Sequence, residues 1–241
     1  MMEHAVDVLA VGPHPDDVEL LCGGVLARCA DQGYRTGILD LTRGETGTRG
    51  TPDVRAAEAE RAAAILGVAV RLNAELPDAG IENSREAREA IVDILRRTKP
   101  RVVILPYVRG RHPDHRAAAG LCRDSCFLSG LTRYGSDLAP HRPHKILYAL
   151  SFREDPVKPT FVVDIAEQFG RKMEAIRAYA SQFEGVVQAG EAFPTGQSFY
   201  DLVETQNRHY GSLIRRPYGE PFFTEETVEV EDIARLRVRS M

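Results

Sequence analysis

Residues 6–18 read Val6-Asp7-Val8-Leu9-Ala10-Val11-Gly12-Pro13-His14-Pro15-Asp16-Asp17-Val18. An apolar run too short for a helix ends at a glycine and a proline, and a helical pattern follows from Val18 to Gln32. The stretch therefore reads as strand, tight turn and helix. The same unit recurs along the chain. Strand-like Arg35 to Leu41 precedes a helix over Pro52–Leu66, and Val68 to Leu72 precedes a helix over Ser84–Thr98. Arg101 to Leu105 leads, past His115, into a helix ending near Leu128. Strands alternating with helices predict an α/β fold, a Rossmann-like and mostly parallel sheet flanked by helices.

Local signals set the boundaries. Thr51 suits an N-cap, Pro52 the first helical position and Gly67 the position just past the end of the second helix. In the third helix Ala87, Ile91, Ile94, Leu95 and Thr98 recur at helical spacing, Asn83 and Glu86 have the spacing of a capping box, and Pro100 marks the stop. Further on come strand-like Lys145 to Phe152 and Thr160 to Ile165, then a helix from Ala166 to Ala180. Residues 184–241 mix glycine, proline and polar residues around one helical stretch, Tyr200 to Tyr210. They are expected to form a C-terminal extension of a single domain spanning 1–241.

The 241 residues, 43% of them hydrophobic, can bury one sizeable core. The net charge is -4, with acids and bases interspersed. No basic stripe points to nucleic acid and no polybasic or long apolar run points to a membrane, so the expected partner is a small molecule. The run at Val6 lacks the cationic region and cleavage site of a signal peptide, which predicts a cytoplasmic location. Cys22, Cys29, Cys122 and Cys126 form no C-x-x-C pair, and their helical spacing makes them packing residues.

The chemistry lies in two clusters. His14-Pro15-Asp16-Asp17 follows the first strand, and His112-Pro113-Asp114-His115 follows the fourth across the loop from Pro106 to Arg111. Ligands of doubly wound sheets collect outside the carboxyl ends of the strands, and a strand order that sets the first beside the fourth would join the clusters. Zinc accepts imidazole nitrogen and carboxylate oxygen, and a catalytic site holds it with three protein ligands. His14, Asp17 and one histidine of the second cluster meet that count. Asp16 can then take a proton from an activated water, and the other histidine can stabilise an oxyanion or protonate a leaving amine.

Other readings use the same residues. His14, Asp17, His112 and His115 together would close a structural, non-catalytic metal site, although such sites favour cysteine and Asp16 would then have no task. Proline, aspartate and histidine also serve in turns and N-caps, but two such clusters at equivalent strand ends exceed that need. A nucleotide-binding protein would use Asp40 at the end of the second strand. The G-x-G-x-x-G fingerprint is missing after the first strand, and Gly44, Gly47 and Gly50 are wrongly spaced. Neither a G-x-S-x-G elbow nor a P-loop occurs.

The HPDD and HPDH runs resemble the motifs of the LmbE-like (PIG-L) family of metal-dependent N-acetylglucosaminyl deacetylases, and the resemblance covers nearly the whole chain. It implies one zinc ion per chain on His14, Asp17 and His115, with iron or manganese fitting the same donors. It also implies Asp16 as general base and His112 as its electrostatic or acid partner. Thr42-Arg43-Gly44-Glu45, Arg55 and Leu76-Pro77-Asp78 match family segments near the substrate. Glu45 and Asp78 would accept sugar hydroxyls, and Arg55 and Arg111 would offer guanidinium forks to a carboxylate.

Arg111, the Leu-Pro-Asp loop and Tyr179-Ala180-Ser181-Gln182-Phe183 are most similar to the bacillithiol-biosynthesis branch, which acts on N-acetylglucosaminyl malate. Inositol conjugates and chito-oligosaccharides are the alternative substrates. Relatives carry a pocket tyrosine in the tail, where this chain has Phe199 and then Tyr200, so Tyr200 is the expected substrate residue. The branch often assembles as hexamers, which implies a homo-oligomer.

Overall fold

The computed structural model describes residues 4–150, 157–184 and 198–238. The expected alternation is present: β1 (Val8–Gly12), α1 (Asp17–Asp31), β2 (Thr36–Asp40), α2 (Pro52–Leu66), β3 (Val70–Asn73), α3 (Arg85–Thr98), β4 (Val102–Pro106) and α4 (Pro113–Leu128). Then follow β5 (Lys145–Ala149), β6 (Phe161–Asp164), α5 (Phe169–Arg177), α6 (Ala180–Phe183), α7 (Phe199–Leu213) and β7 (Gly219–Phe223). The sheet order is β3-β2-β1-β4-β5-β7-β6. Its first five strands run parallel, and β7 runs antiparallel to both of its neighbours.

Every residue of β1 is buried, as expected for a central strand covered by helices on both faces. Its side chains alternate between two cores. Leu9 and Val11 join Leu39, Val103, Leu105, Ile91 and Leu121 on the α3 and α4 side, whereas Val8 and Ala10 join Ile38, Ile104, Leu26 and Met173 on the α1 and α5 side. Cys22, Cys122 and Cys126 are buried in these cores and all four thiols are free, so packing is their role. Because β1 lies between β2 and β4, strand order reverses at β1, and the loops after β1 and β4 flank one crevice.

Some boundaries differ from those expected. α3 is capped by Ser84, whose hydroxyl accepts the Ala87 amide at 3.1 Å, while Asn83 donates to Asp124 instead. α4 starts at Pro113 rather than after His115, which places His115 within the first turn. α5 spans Phe169–Arg177 where a helix from Ala166 to Ala180 was expected, and the short α6 follows after Tyr179. Beyond Ala149, the expected end of its strand at Phe152 lies outside the described residues.

The tail also supplies β7, which has no strand signature because Gly219 and Pro221 read as turn residues. Pairing on both edges makes it a strand: Phe222 lies opposite Ala149 of β5, and Glu220 opposite Val163 of β6. Pro221 has no amide hydrogen, but its carbonyl accepts the Leu150 amide at 3.2 Å. Among the described residues no helix is long and apolar enough to cross a membrane.

Candidate metal centre

The first cluster sits on a loop fastened to the end of β2. Leu41 donates its amide to Gly12 O at 2.9 Å, and both the amide and the hydroxyl of Thr42 donate to Pro13 O at 3.0 Å. Two prolines stiffen the loop. Asp16 then turns the chain with φ 116 and ψ -27, backbone angles that strain any residue but glycine. Asp17 opens α1. In the second cluster His112 is the N-cap of α4, its Nδ1 accepting the Asp114 amide at 3.2 Å. That bond leaves the proton of a neutral His112 ring on Nε2.

The two loops meet. Asp17 lies between two imidazoles, Oδ2 being 3.1 Å from His14 Nδ1 and Oδ1 3.1 Å from His115 Nε2. Burial alone would raise the Asp17 pKa, but His115 and His14 pull it well below the ordinary carboxylate range. Burial likewise opposes the charge on His14, yet Asp17, Asp16 and Asp78 raise its pKa to about 9. The His112 ring lies 5.0 Å from that of His14, and burial together with the charges of His14 and His115 lowers its pKa.

Asp16 differs from Asp17. Burial and repulsion by Asp17 raise its pKa to about 8 against the pull of Arg55, whose Nη2 lies 3.3 Å from Asp16 Oδ2.

His14, Asp17 and His115 each offer a donor atom within 4.8 Å of the others, and His14, His112 and Asp114 form a second such group. Both groups have the two imidazoles and one carboxylate that a zinc-type ion takes when it keeps a position open; the first is the expected ligand set, whereas Asp114 of the second already accepts a backbone amide. Among the described residues no group joins His14, Asp17, His112 and His115. Asp114 has no role in the sequence reading. Only 2% exposed, it accepts the Ala79 amide at 2.8 Å and lies 3.3 Å from His14 Nε2, so it orients that ring. Its place between two histidines of HPDH is the signal that could have found it.

The residues expected at the substrate are placed unevenly. Arg55, only 5% exposed, donates to Pro15 O at 2.7 Å and Gly44 O at 3.1 Å, so its fork braces the Asp16 loop rather than pointing toward a ligand. Glu45 and Asp78 clasp two loops: Glu45 accepts the Asp78 amide at 2.9 Å and Asp78 accepts the Thr46 amide at 2.8 Å. The other oxygen of Asp78 lies 3.1 Å from His14 Nε2. Arg111 is exposed beside His112.

Tyr200 stands next to Phe199 under the Arg177 guanidinium, while Phe199 stacks on Phe183. Tyr179 donates to Glu19 at 3.0 Å and Ser181 to Glu58 at 2.6 Å, so the Tyr179–Phe183 motif is a clasp between α6 and the neighbouring helices. Asp40 is bound through both oxygens by Arg71, at 2.7 and 2.8 Å, which removes the acid a nucleotide ribose would need.

A family profile described as PIG-L, GlcNAc-PI de-N-acetylase, matches residues 9–126, the span from β1 to α4 that holds both clusters. The diacetylchitobiose deacetylase of Thermococcus kodakarensis is 32% identical over 226 residues, covering 88% of this chain and 80% of that protein. The chain belongs to the PIG-L family.

A second relative, the probable N-acetyl-alpha-D-glucosaminyl L-malate deacetylase 2 of Bacillus anthracis, is 27% identical over 199 residues, covering 76% of this chain and 84% of its own. Among solved structures, a conserved protein of Thermus thermophilus superposes with a TM-score of 0.85 at 36% identity, covering 94% of this chain and 98% of that one. That similarity reaches well beyond residues 9–126, the segment that carries the two motifs.

Proposed function

We propose that this chain is a metal-dependent N-deacetylase that frees acetate from an N-acetylglucosaminide, with short chito-oligosaccharides as the favoured substrates. The observation that carries this reading is the three-donor group His14, Asp17 and His115, beside which a carboxylate, Asp16, and an imidazole, His112, are left over. A structural metal would have no use for either.

His14, Asp17 and His115 would hold the ion, and zinc, iron or manganese suits those donors. When bound, such an ion supplies Lewis acidity toward the acetyl oxygen and toward a water. The protein's own groups move the protons. Asp16, a carboxylate next to Asp17 and held by Arg55, is placed to accept the water proton. With Nδ1 accepting the Asp114 amide, His112 presents its Nε2–H as a hydrogen-bond donor to the oxygen on which negative charge builds. As the C–N bond breaks, the proton on Asp16 passes to the leaving amine, giving acetate and a free glucosamine nitrogen.

Two observations favour chito-oligosaccharides over the malate conjugate. The Thermococcus diacetylchitobiose deacetylase aligns over more of the chain at higher identity than the Bacillus malate deacetylase. Moreover Arg55, one of two arginines that malate carboxylates would require, is occupied beneath Asp16. The malate reading keeps the support of exposed Arg111 beside His112. Acetate release from N-acetylglucosamine, diacetylchitobiose, triacetylchitotriose and N-acetylglucosaminyl malate tests the proposal. The highest kcat/KM is expected on a chito-oligosaccharide, and a strong preference for the malate conjugate would reverse the assignment.

A further inference from the structure

α1, which begins with Asp17, is not a continuous helix. Cys22 has φ -148 and ψ 21, and the Gly23-Gly24 pair lies immediately after it. Gly24 has to be glycine, since a Cβ there would stand 2.7 Å from Ile165 Cδ1. In an unbroken helix the Gly24 amide would donate to Leu20 O and the Val25 amide to Leu21 O. Here Gly24 and Val25 donate to the two carboxylate oxygens of Glu220, at 2.9 and 2.7 Å. Lys172 Nζ donates to Leu20 O at 2.8 Å and to Glu220 at 2.7 Å. A fully buried ion pair from α5 and β7 is thus inserted into the break.

Burying two charges is a poor way to gain stability, because desolvation consumes most of their attraction. What an apolar pair could not do is satisfy two amides and one carbonyl at a bent helix. The bend sets the direction of the short segment above it. Leu20 links the two ends: its amide donates to Asp16 O at 3.2 Å, while its carbonyl is the one held by Lys172.

We infer that Glu220 and Lys172 are positioning residues that fix the first turn of α1, and with it the carboxylates of Asp16 and Asp17, at the metal centre. This inference rests on the deacetylase reading for its activity readout only. The strand β7, remote from both motifs in sequence, therefore acts on the centre through a helix bend.

The test compares the zinc-loaded wild type with Glu220→Gln and with Lys172→Met/Glu220→Leu. Removing both charges together leaves no lone buried charge but strips the Gly24 and Val25 amides and the Leu20 carbonyl of their partners, so the double variant should melt below wild type yet still fold. It is expected to bind zinc about 10-fold to 100-fold more weakly and to lose kcat by about the same factor with little change in KM. The visible spectrum of its cobalt-loaded form should also differ from wild type. Glu220→Gln keeps an acceptor for Gly24 and a partner for Lys172, so its zinc affinity should fall between the two.

A folded double variant with wild-type zinc affinity and cobalt spectrum would overturn the inference. If that variant does not fold, unchanged zinc affinity in folded Glu220→Gln would do the same. Zinc affinity is read without substrate, so a wild type that releases no acetate would refute the deacetylase reading while the brace is still decided.

Discussion

Asp16 is strained, and replacing it should reverse the usual order of alanine and glycine. Asp16→Ala and Asp16→Gly both remove the carboxylate, so they differ only in the methyl group and the backbone freedom. At φ 116 a residue with a Cβ costs roughly 1–3 kcal/mol. Glycine avoids that cost but loses about 0.5–1 kcal/mol to its greater freedom in the unfolded chain. The glycine variant should therefore be the more stable by about 1 kcal/mol, which for a chain of this size raises Tm by about 2–4 °C. Thermal melts of the two metal-free variants measure the difference, and acetate release measures the loss of the base, expected at about 10²-fold to 10⁴-fold for both. An alanine variant as stable as the glycine variant would refute the strain argument. Near-normal turnover in either would remove Asp16 as the base.

Other expectations follow from the same geometry. His112→Ala should retain about one zinc per chain by elemental analysis while kcat falls about 10²-fold or more, because the proposed ligands are His14, Asp17 and His115; loss of the metal would favour the second group, His14, His112 and Asp114. Arg55→Met should lower kcat about tenfold and leave KM nearly unchanged, since Arg55 acts through Asp16. A rise in KM with kcat intact would return Arg55 to the substrate. His14, with a pKa raised to about 9, is protonated at neutral pH in the metal-free protein, so zinc must displace that proton. Zinc affinity should fall at least about tenfold for each pH unit below 9, and calorimetry in two buffers should detect at least about one proton released per zinc at pH 7.5. No proton release would contradict the pairing of His14 with Asp17.

The centre was legible because its chemistry sits in short, contiguous runs. His14, Asp17 and His115 come together once β1 and β4 lie side by side, and the alternation of strands and helices anticipates that arrangement. Contacts that depend on folded loops left no comparable trace. Arg55 has the composition of a substrate residue, and only its burial beneath Pro15 and Gly44 shows that it holds the Asp16 loop. Glu45 and Asp78 look like acceptors for sugar hydroxyls, yet loop closure engages them with each other's backbone and with His14. β7 was hidden by Pro221 and Gly219, residues that a strand tolerates here because pairing with β5 and β6 overrides their local preference. Glu220 was hidden with it.

The central claim is that His14, Asp17 and His115 hold one ion whose presence turns Asp16 and His112 into a deacetylating pair. The most direct measurement is acetate release from diacetylchitobiose by chelator-stripped protein titrated with zinc. Activity should be absent at the start, rise in proportion to added metal, and level off at one ion per chain. Turnover that survives complete removal of metal would contradict the account, and so would a zinc-saturated protein that releases no acetate from any N-acetylglucosaminide.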